Sequence, residues 1–373
     1  MELGEYIWQR DEWPRFRWNS AALLKPLGVA RSTHGELVAQ GDKLSLTDQL
    51  DLYVDEAIAT SEIEGEVLDR NRLRSSVAEQ LGLPTAGLPR PDTKSDALAT
   101  VLLEATRNHD RPLTAGQIQG WQAALFPTGY SGPFRIAVGR WRQSETPMHV
   151  VSGAMGRERI HFTAPPPERL HAEMDRFSTW WNGESDDVDG VIRAGLAHLY
   201  FVTIHPFPDG NGRIARVLTD MALAQDEGSS RRMYSLSQNI RTVRNEYYAV
   251  LEETQRGDLD VTHWLLWFID IYRRSITDAL NRIDRSCVIA QYYRRLADLS
   301  LNERQIKVIH KMIDAYPEGF SGGMTNKKYV AITGTSSETA KRDLRDLLSK
   351  GLLQKGDAAG RSTYYVLGDI EAG

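Results

Sequence analysis

Through most of the chain, apolar residues recur at the three- and four-residue spacing of helices. Leu50, Val54, Ala57 and Ile58 mark one face of a helix over about 46–65, which Gly65 is suited to close as a left-handed cap. Leu170, Met174, Phe177 and Trp181 share a face over 168–181. Residues 195–204 are apolar almost without interruption, the pattern of a buried helix ending near His205. Ile214, Val217, Leu218 and Met221 restart the period close to Gly212. Pro206, Pro208, Gly210 and Gly212 allow only a tight loop between these two helices. Tyr247 and Tyr248 lie on a further helix leading to the aromatic run 264–269. One piece departs from this pattern. Residues 148–151 and 159–162 flank a turn at Gly153 and Gly156 and predict a β-hairpin. Near the end, helices are predicted over 301–316, 325–332 and 336–350, followed by a broken extended stretch over 352–366.

The expected fold class is therefore mainly α with a small hairpin. Four segments are expected: 1–91, a helical extension; 92–277, a core; 278–300, a linker helix; and 301–373, a separate small domain. A Pro- and Gly-rich loop at 82–91 precedes the core. Trp8, Trp13, Pro14, Phe16 and Trp18 crowd the start of the chain, and such a cluster is read as packing.

Composition narrows the class. Among 373 residues the net charge is only −5, which gives no global attraction to nucleic acid or membrane. No apolar run approaches the length of a bilayer span, and the first residues lack the basic and apolar regions of a signal peptide. The single Cys287 excludes an internal disulfide and a cysteine-rich zinc site. A cytoplasmic protein without membrane partners is expected.

The candidate chemistry sits in the loop between the two buried helices. It reads His205-Pro206-Phe207-Pro208-Asp209-Gly210-Asn211-Gly212-Arg213-Ile214-Ala215-Arg216. A loop entering a helix N-terminus presents free N–H groups and partial positive charge, and so forms an anion site. Arg213 and Arg216, three apart on the first turn, can reach one ligand, and their planar forks suit phosphate oxygens. Asp209 offers a hard carboxylate for magnesium. His205 can accept a proton near neutral pH.

This segment matches H-x-F-x-[DE]-G-N-G-R-x-x-R at every specified position and so resembles the signature of Fic domain proteins. The resemblance implies a helical core and transfer of AMP from ATP to a protein hydroxyl (Ser, Thr or Tyr), with release of pyrophosphate. By position, His205 would be the base and Asp209 the magnesium ligand. Gly210, Asn211 and Gly212 would form the anion hole, backed by Ile214 and Ala215, with Arg213 and Arg216 on the outer phosphates. Phe207 would anchor the loop. Gly212 and Arg216 separate the chain from the Doc kinases, which carry lysine at the first position and lack the second arginine.

Upstream, Thr60-Ser61-Glu62-Ile63-Glu64-Gly65 resembles the family's inhibitory motif [ST]-x-x-x-E-[GN]. The resemblance implies that Glu64 pairs with Arg216 and prevents productive ATP binding. It also implies that the hairpin is a flap whose Val150 and Val151 dock a target segment as an added strand. Tyr247 and Tyr248 are candidate adenine contacts. The last segment resembles a winged helix, whose partner would be DNA or a protein; Lys341, Arg342, Arg345 and Lys350 alternate there with acidic residues. Expected partners are a target protein, including the chain itself, and a second copy in a homodimer. The alternatives are a Fic-core transcriptional regulator and a transferase using another phosphate-linked donor.

Overall fold

The computed structural model describes residues 6–143, 147–152, 157, 159–184, 187–316, 319–356 and 363–368. The chain is mainly helical, with short antiparallel strand pairs. It divides into two units, Met1–Ala279 and Leu280–Gly373.

The first unit begins with α1 (Ser20–Gln40), α2 (Leu46–Ile63), α3 (Arg70–Gln80), α4 (Thr93–Arg107) and α5 (Ala115–Leu125). Two strand pairs follow: β1 (Tyr130–Ser131) with β2 (Phe134–Arg135), and β3 (His149–Ser152) with β4 (Arg159–Thr163). Then come α6 (Leu170–Thr179), α7 (Gly190–Ile204), α8 (Asn211–Glu227), α9 (Leu236–Thr242), α10 (Arg244–Arg256) and α11 (Thr262–Ala297). The expected helix over 168–181 is α6 plus a π-helical turn at Trp180–Glu184. The expected boundary between core and linker helix, at 277/278, falls inside α11, two residues from the division between the units.

Helix α7 is buried from Val191 to Ile204 and forms the axis of this unit beside α8. Close packing needs Gly195: a side-chain carbon there would lie 2.9 Å from the Phe268 ring of α11. Trp264 Nε1 also donates to the Gly195 carbonyl at 2.8 Å. His198, one turn on, joins three helices by bonding Thr219 Oγ1 at 3.0 Å and Tyr247 Oη at 2.8 Å. Burial pushes this imidazole down to a pKa of about 3.

Helix α2 starts in a capping box between Ser45 and Asp48 and packs along α9 and α3. Its mid-helix Glu56 is buried but satisfied, accepting from Ser235 Oγ at 2.8 Å and Ser237 N at 3.0 Å, with Arg232 at 3.4 Å. That network fixes where the end of α2 arrives.

The N-terminal aromatics are packing, and they hold the second hairpin. Trp8 Nε1 donates to the Thr163 carbonyl at 2.7 Å, and Tyr6 meets Phe162 edge-on at 5.2 Å. Trp13 and Phe16 pack edge-on against Tyr200 of α7. β3 and β4 pair antiparallel, Val150 opposite Phe162 and Val151 opposite Ile160, with a bulge between the two valines. Gly153 and Gly156, the expected turn, lie outside the described residues. The β1–β2 pair was not expected, since two residues per strand leave no alternation to read.

The second unit holds α12 (Glu303–Asp314), α13 (Asn326–Thr333), α14 (Ser337–Ser349), β5 (Leu353–Lys355) and β6 (Tyr365–Leu367). Asn302, Thr325 and Ser336 cap the three helices. Its core is Val308, Ile309, Met312, Tyr329, Leu344 and Leu347. Ala359 and Gly360 lie outside the described residues. Among the described residues, no helix is long and apolar enough to cross a membrane.

Candidate active site

His205 ends α7 in the left-handed region at φ 51°, the one non-glycine residue with positive φ among those described. Its ring Nδ1 faces the Val202 carbonyl at 3.2 Å. A carbonyl only accepts, so Nδ1 carries the proton and the lone pair is left on Nε2. Burial, reinforced by the Arg142 charge, pushes this histidine down to a pKa of about 4, against smaller upward pulls from Val202, Glu64 and Asp209. The imidazole is therefore neutral at pH 7.

The loop after His205 is clamped from both sides. Arg142 Nε donates to the His205 carbonyl at 2.8 Å, and the Arg142 backbone N–H donates to the Pro206 carbonyl at 2.9 Å. Asn211 reaches back, accepting from Phe207 N at 2.9 Å and donating to Phe207 O at 2.8 Å. Phe207 is fully buried against Trp141, with ring centroids 4.9 Å apart. The Asn211 side chain is thus spent on holding the loop, a role the motif alone does not specify.

Gly210 enters α8 at φ 90°, where a side chain would be strained and would also lie 2.9 Å from Phe126. Asp209 keeps its carboxylate at the rim, 41% exposed. It accepts from Gly210 N at 2.5 Å and bonds Ser131 of β1. Among the described residues, no three His, Cys, Asp or Glu side chains gather as a metal site. One exposed carboxylate still fits magnesium, which typically takes one or two carboxylates and completes its shell with water and substrate phosphates.

The α8 N-terminus already holds an anion. Glu64 follows the last residue of α2, and its Oε1 lies 2.7 Å from Arg216 Nη2. A side-chain carbon on Gly212 would overlap that same Oε1. The bare backbone of Gly212 is what lets the carboxylate settle over the first turn of α8. Arg216, 1% exposed, is further held by Thr60, donating Nε to Oγ1 at 2.6 Å and Nη2 to the carbonyl at 3.0 Å. Burial works against its charge, but Glu64, with Tyr247 and Tyr248, more than compensates and its pKa stays raised.

Arg213 is equally buried. Its Nη1 donates to Glu66 at 2.8 Å, its Nη2 lies 3.9 Å from Asp209, and the guanidinium sits 4.9 Å over the Phe126 ring. Glu66 was legible only as one of several acidic residues, since nothing in its spacing points to Arg213. Ile214 and Ala215 are fully buried and act through backbone and packing.

The two tyrosines separate. Tyr247, expected as an adenine contact, is 2% exposed, bonded to His198 and stacked on Trp267 at 5.6 Å. It is a core residue, because its position on α10 faces α11. Tyr248 is 39% exposed and donates its hydroxyl to the Ile63 carbonyl at 3.1 Å, at the end of α2. On the hairpin, Val151 and Ile160 are exposed. Arg256 of α10 donates to the carbonyls of Ile160 and His161, both at 3.2 Å, so α10 covers β4 and leaves β3 as the outer strand.

Comparison with known proteins agrees with this geometry. Residues 112–223 match the Fic/DOC family, and residues 6–83 match a domain of unknown function, DUF4172. Over 99 residues, 26% of this chain and 18% of the relative, it is 35% identical to the protein adenylyltransferase fic-1 of Caenorhabditis elegans. Over 171 residues, 45% of this chain and 50% of the relative, it is 28% identical to a probable protein adenylyltransferase of Aquifex aeolicus. These matches span half or less of the curated relatives' own length. A Fic family protein from Desulfovibrio desulfuricans shares the fold at a TM-score of 0.53 and 16% identity, covering 93% of this chain and 95% of that one.

Proposed function

We propose that this chain is a self-inhibited protein adenylyltransferase. The observation that carries the reading is the Glu64 carboxylate seated over Gly212 and held by Arg216. A built-in anion marks the α8 N-terminus as an anion cradle and also blocks it. The names of the curated relatives support ATP as the donor.

In the proposed reaction, the hydroxyl oxygen of a target Ser, Thr or Tyr attacks the α-phosphorus of ATP. Nε2 of His205 accepts the hydroxyl proton as the new P–O bond forms and the bond to pyrophosphate breaks. The N–H groups of Asn211 and Gly212, and that of Gly210 once released from Asp209, would stabilise the departing negative charge together with Arg213 and Arg216. Magnesium held by Asp209 would supply further neutralisation of that charge. Tyr248, whose hydroxyl donates to the Ile63 carbonyl at the end of α2, would contact the nucleoside. Val150 and Val151, on the outer strand, would pair with the target's backbone.

The Glu64–Arg216 pair supports the reading of self-inhibition: Arg216 would not serve Glu64 and an outer phosphate in one arrangement. The second unit is read as a winged helix serving DNA or a protein partner. Three of its basic groups are paired within the unit, Lys341 with Glu338, Lys350 with Asp346 and Arg304 with Asp343.

Intact-mass analysis after incubation with ATP and magnesium tests the function. The expected result is AMP added to the chain or to lysate proteins, and none with His205→Ala. Transfer of phosphocholine or UMP instead, in parallel donor incubations, would replace ATP as the donor.

A further inference from the structure

The turn that carries Glu64 into the cradle carries a second carboxylate with it. Glu64 N and Glu66 N both donate to the Ser61 carbonyl, at 3.1 and 2.9 Å, and Gly65 between them takes φ 81°. This tight reversal aims Glu64 at Arg216 and Glu66 at Arg213. Glu66 Oε2 lies 2.8 Å from Arg213 Nη1, with the arginine side chain 6% exposed and the glutamate 36%.

The Arg213 fork is divided by this arrangement. Nη1 points to Glu66, Nη2 stands 3.9 Å from Asp209, and Nε is buried without a hydrogen-bond partner among the described residues. An arginine binds phosphate best with two parallel N–H groups turned to one group of oxygens. Held as it is, Arg213 cannot present that pair.

We infer that Glu66 is a second inhibitory residue, a positioning residue that keeps Arg213 turned away from the outer phosphates of a nucleoside triphosphate. The inference rests on the proposed reading of the cradle and deepens it. Each arginine is held by its own carboxylate, and a single glycine turn sets both. Removing Glu64 then frees one arginine and leaves the other engaged.

The test is calorimetric titration of ATP and of AMP into the full chain, comparing Glu64→Gly with Glu64→Gly/Glu66→Ala. AMP lacks the outer phosphates, so it reports on the fold of the site without engaging Arg213. The double variant should bind ATP about fivefold more tightly or better, while AMP affinity stays the same. Adding Arg213→Ala should erase the gain. Unchanged or weaker ATP binding on loss of Glu66 overturns the inference, as does an equal change for ATP and AMP, which would make Glu66 a structural part of the turn. Because the readout is binding, it stands apart from catalysis. A Glu64→Gly protein that binds ATP but transfers nothing would overturn the transferase reading and leave the Glu66 comparison intact.

Discussion

Glu64 Oε1 lies 2.7 Å from Arg216 Nη2 and occupies the space that any side chain on Gly212 would need. One carboxylate thus neutralises a buried arginine and covers the N-terminal turn of α8. Neither residue could be moved alone without leaving the other exposed or uncompensated. Arg216 is 1% exposed, and burying an unpaired guanidinium is costly.

His205→Ala should lower transfer by about 10²–10⁴-fold, the general-base share, while ATP affinity is retained. In the proposed reaction the imidazole would take the attacking hydroxyl's proton and not contact the nucleotide. Paired kinetic and calorimetric measurements check this; near wild-type transfer would exclude His205 as the base.

The pH dependence follows from burial. The His205 pKa lies at about 4, below its ordinary 6.5, so the basic form persists as the pH falls through 6.5 and is lost only near 4. In Glu64→Gly the nearby negative charge is gone, which shifts the pKa further down. The rate of this variant should therefore show no acid limb between pH 6 and pH 8, with midpoints read from kcat/KM. An acid limb centred near 6.5 would place the histidine in water-like surroundings.

Asp209→Ala should remove magnesium-dependent transfer, and chelation should silence the parent protein until magnesium is restored. The carboxylate is exposed at the rim and lies beside the proposed phosphate cradle. Full activity in chelator would take Asp209 out of the reaction.

Gly212→Ala separates two effects that Glu64→Gly combines. The added methyl group must expel the Glu64 carboxylate, so the inhibitory pair is broken. The same methyl group stands where phosphate oxygens would approach the α8 backbone. Transfer should stay at or below the basal rate, as measured beside Glu64→Gly. Activation equal to that of Glu64→Gly would mean the phosphates do not use this surface.

A chain ended near residue 290 should keep AMP transfer, because His205, the α8 cradle and Glu64 all lie within the first unit. Self-modification by a folded protein of that length is the measurement. Its loss would give the second unit a part in the reaction.

Much of the fold was legible because helix periodicity is strong where burial is one-sided, and because 205–212 alternates residues that break helices with residues that carry chemistry. The β3–β4 hairpin was legible from its alternation around glycines, while β1–β2 was too short to leave a pattern. Tyr247 and Tyr248 could not be told apart in advance, since adjacent helix residues differ by 100° in direction and only the position of α11 decides which is buried. Glu66 stayed hidden for a different reason. Charge in an acid-rich stretch says nothing about partners, and its pairing with Arg213 depends on a turn set by Gly65 and on α8 arriving from 147 residues away. Arg142 and Ser131 were missed likewise, as each touches the 205–212 loop only through tertiary structure.

The central claim is that the Glu64–Arg216 pair restrains an AMP transferase. The most direct measurement is the rate of AMP incorporation from α-labelled ATP in the wild type, Glu64→Gly, and Glu64→Gly/Arg216→Ala. A coupling of the usual allosteric size predicts a gain of about 5–150-fold for Glu64→Gly, abolished when Arg216 is also removed. A folded Glu64→Gly protein with unchanged incorporation, or a gain that survives the loss of Arg216, would contradict it.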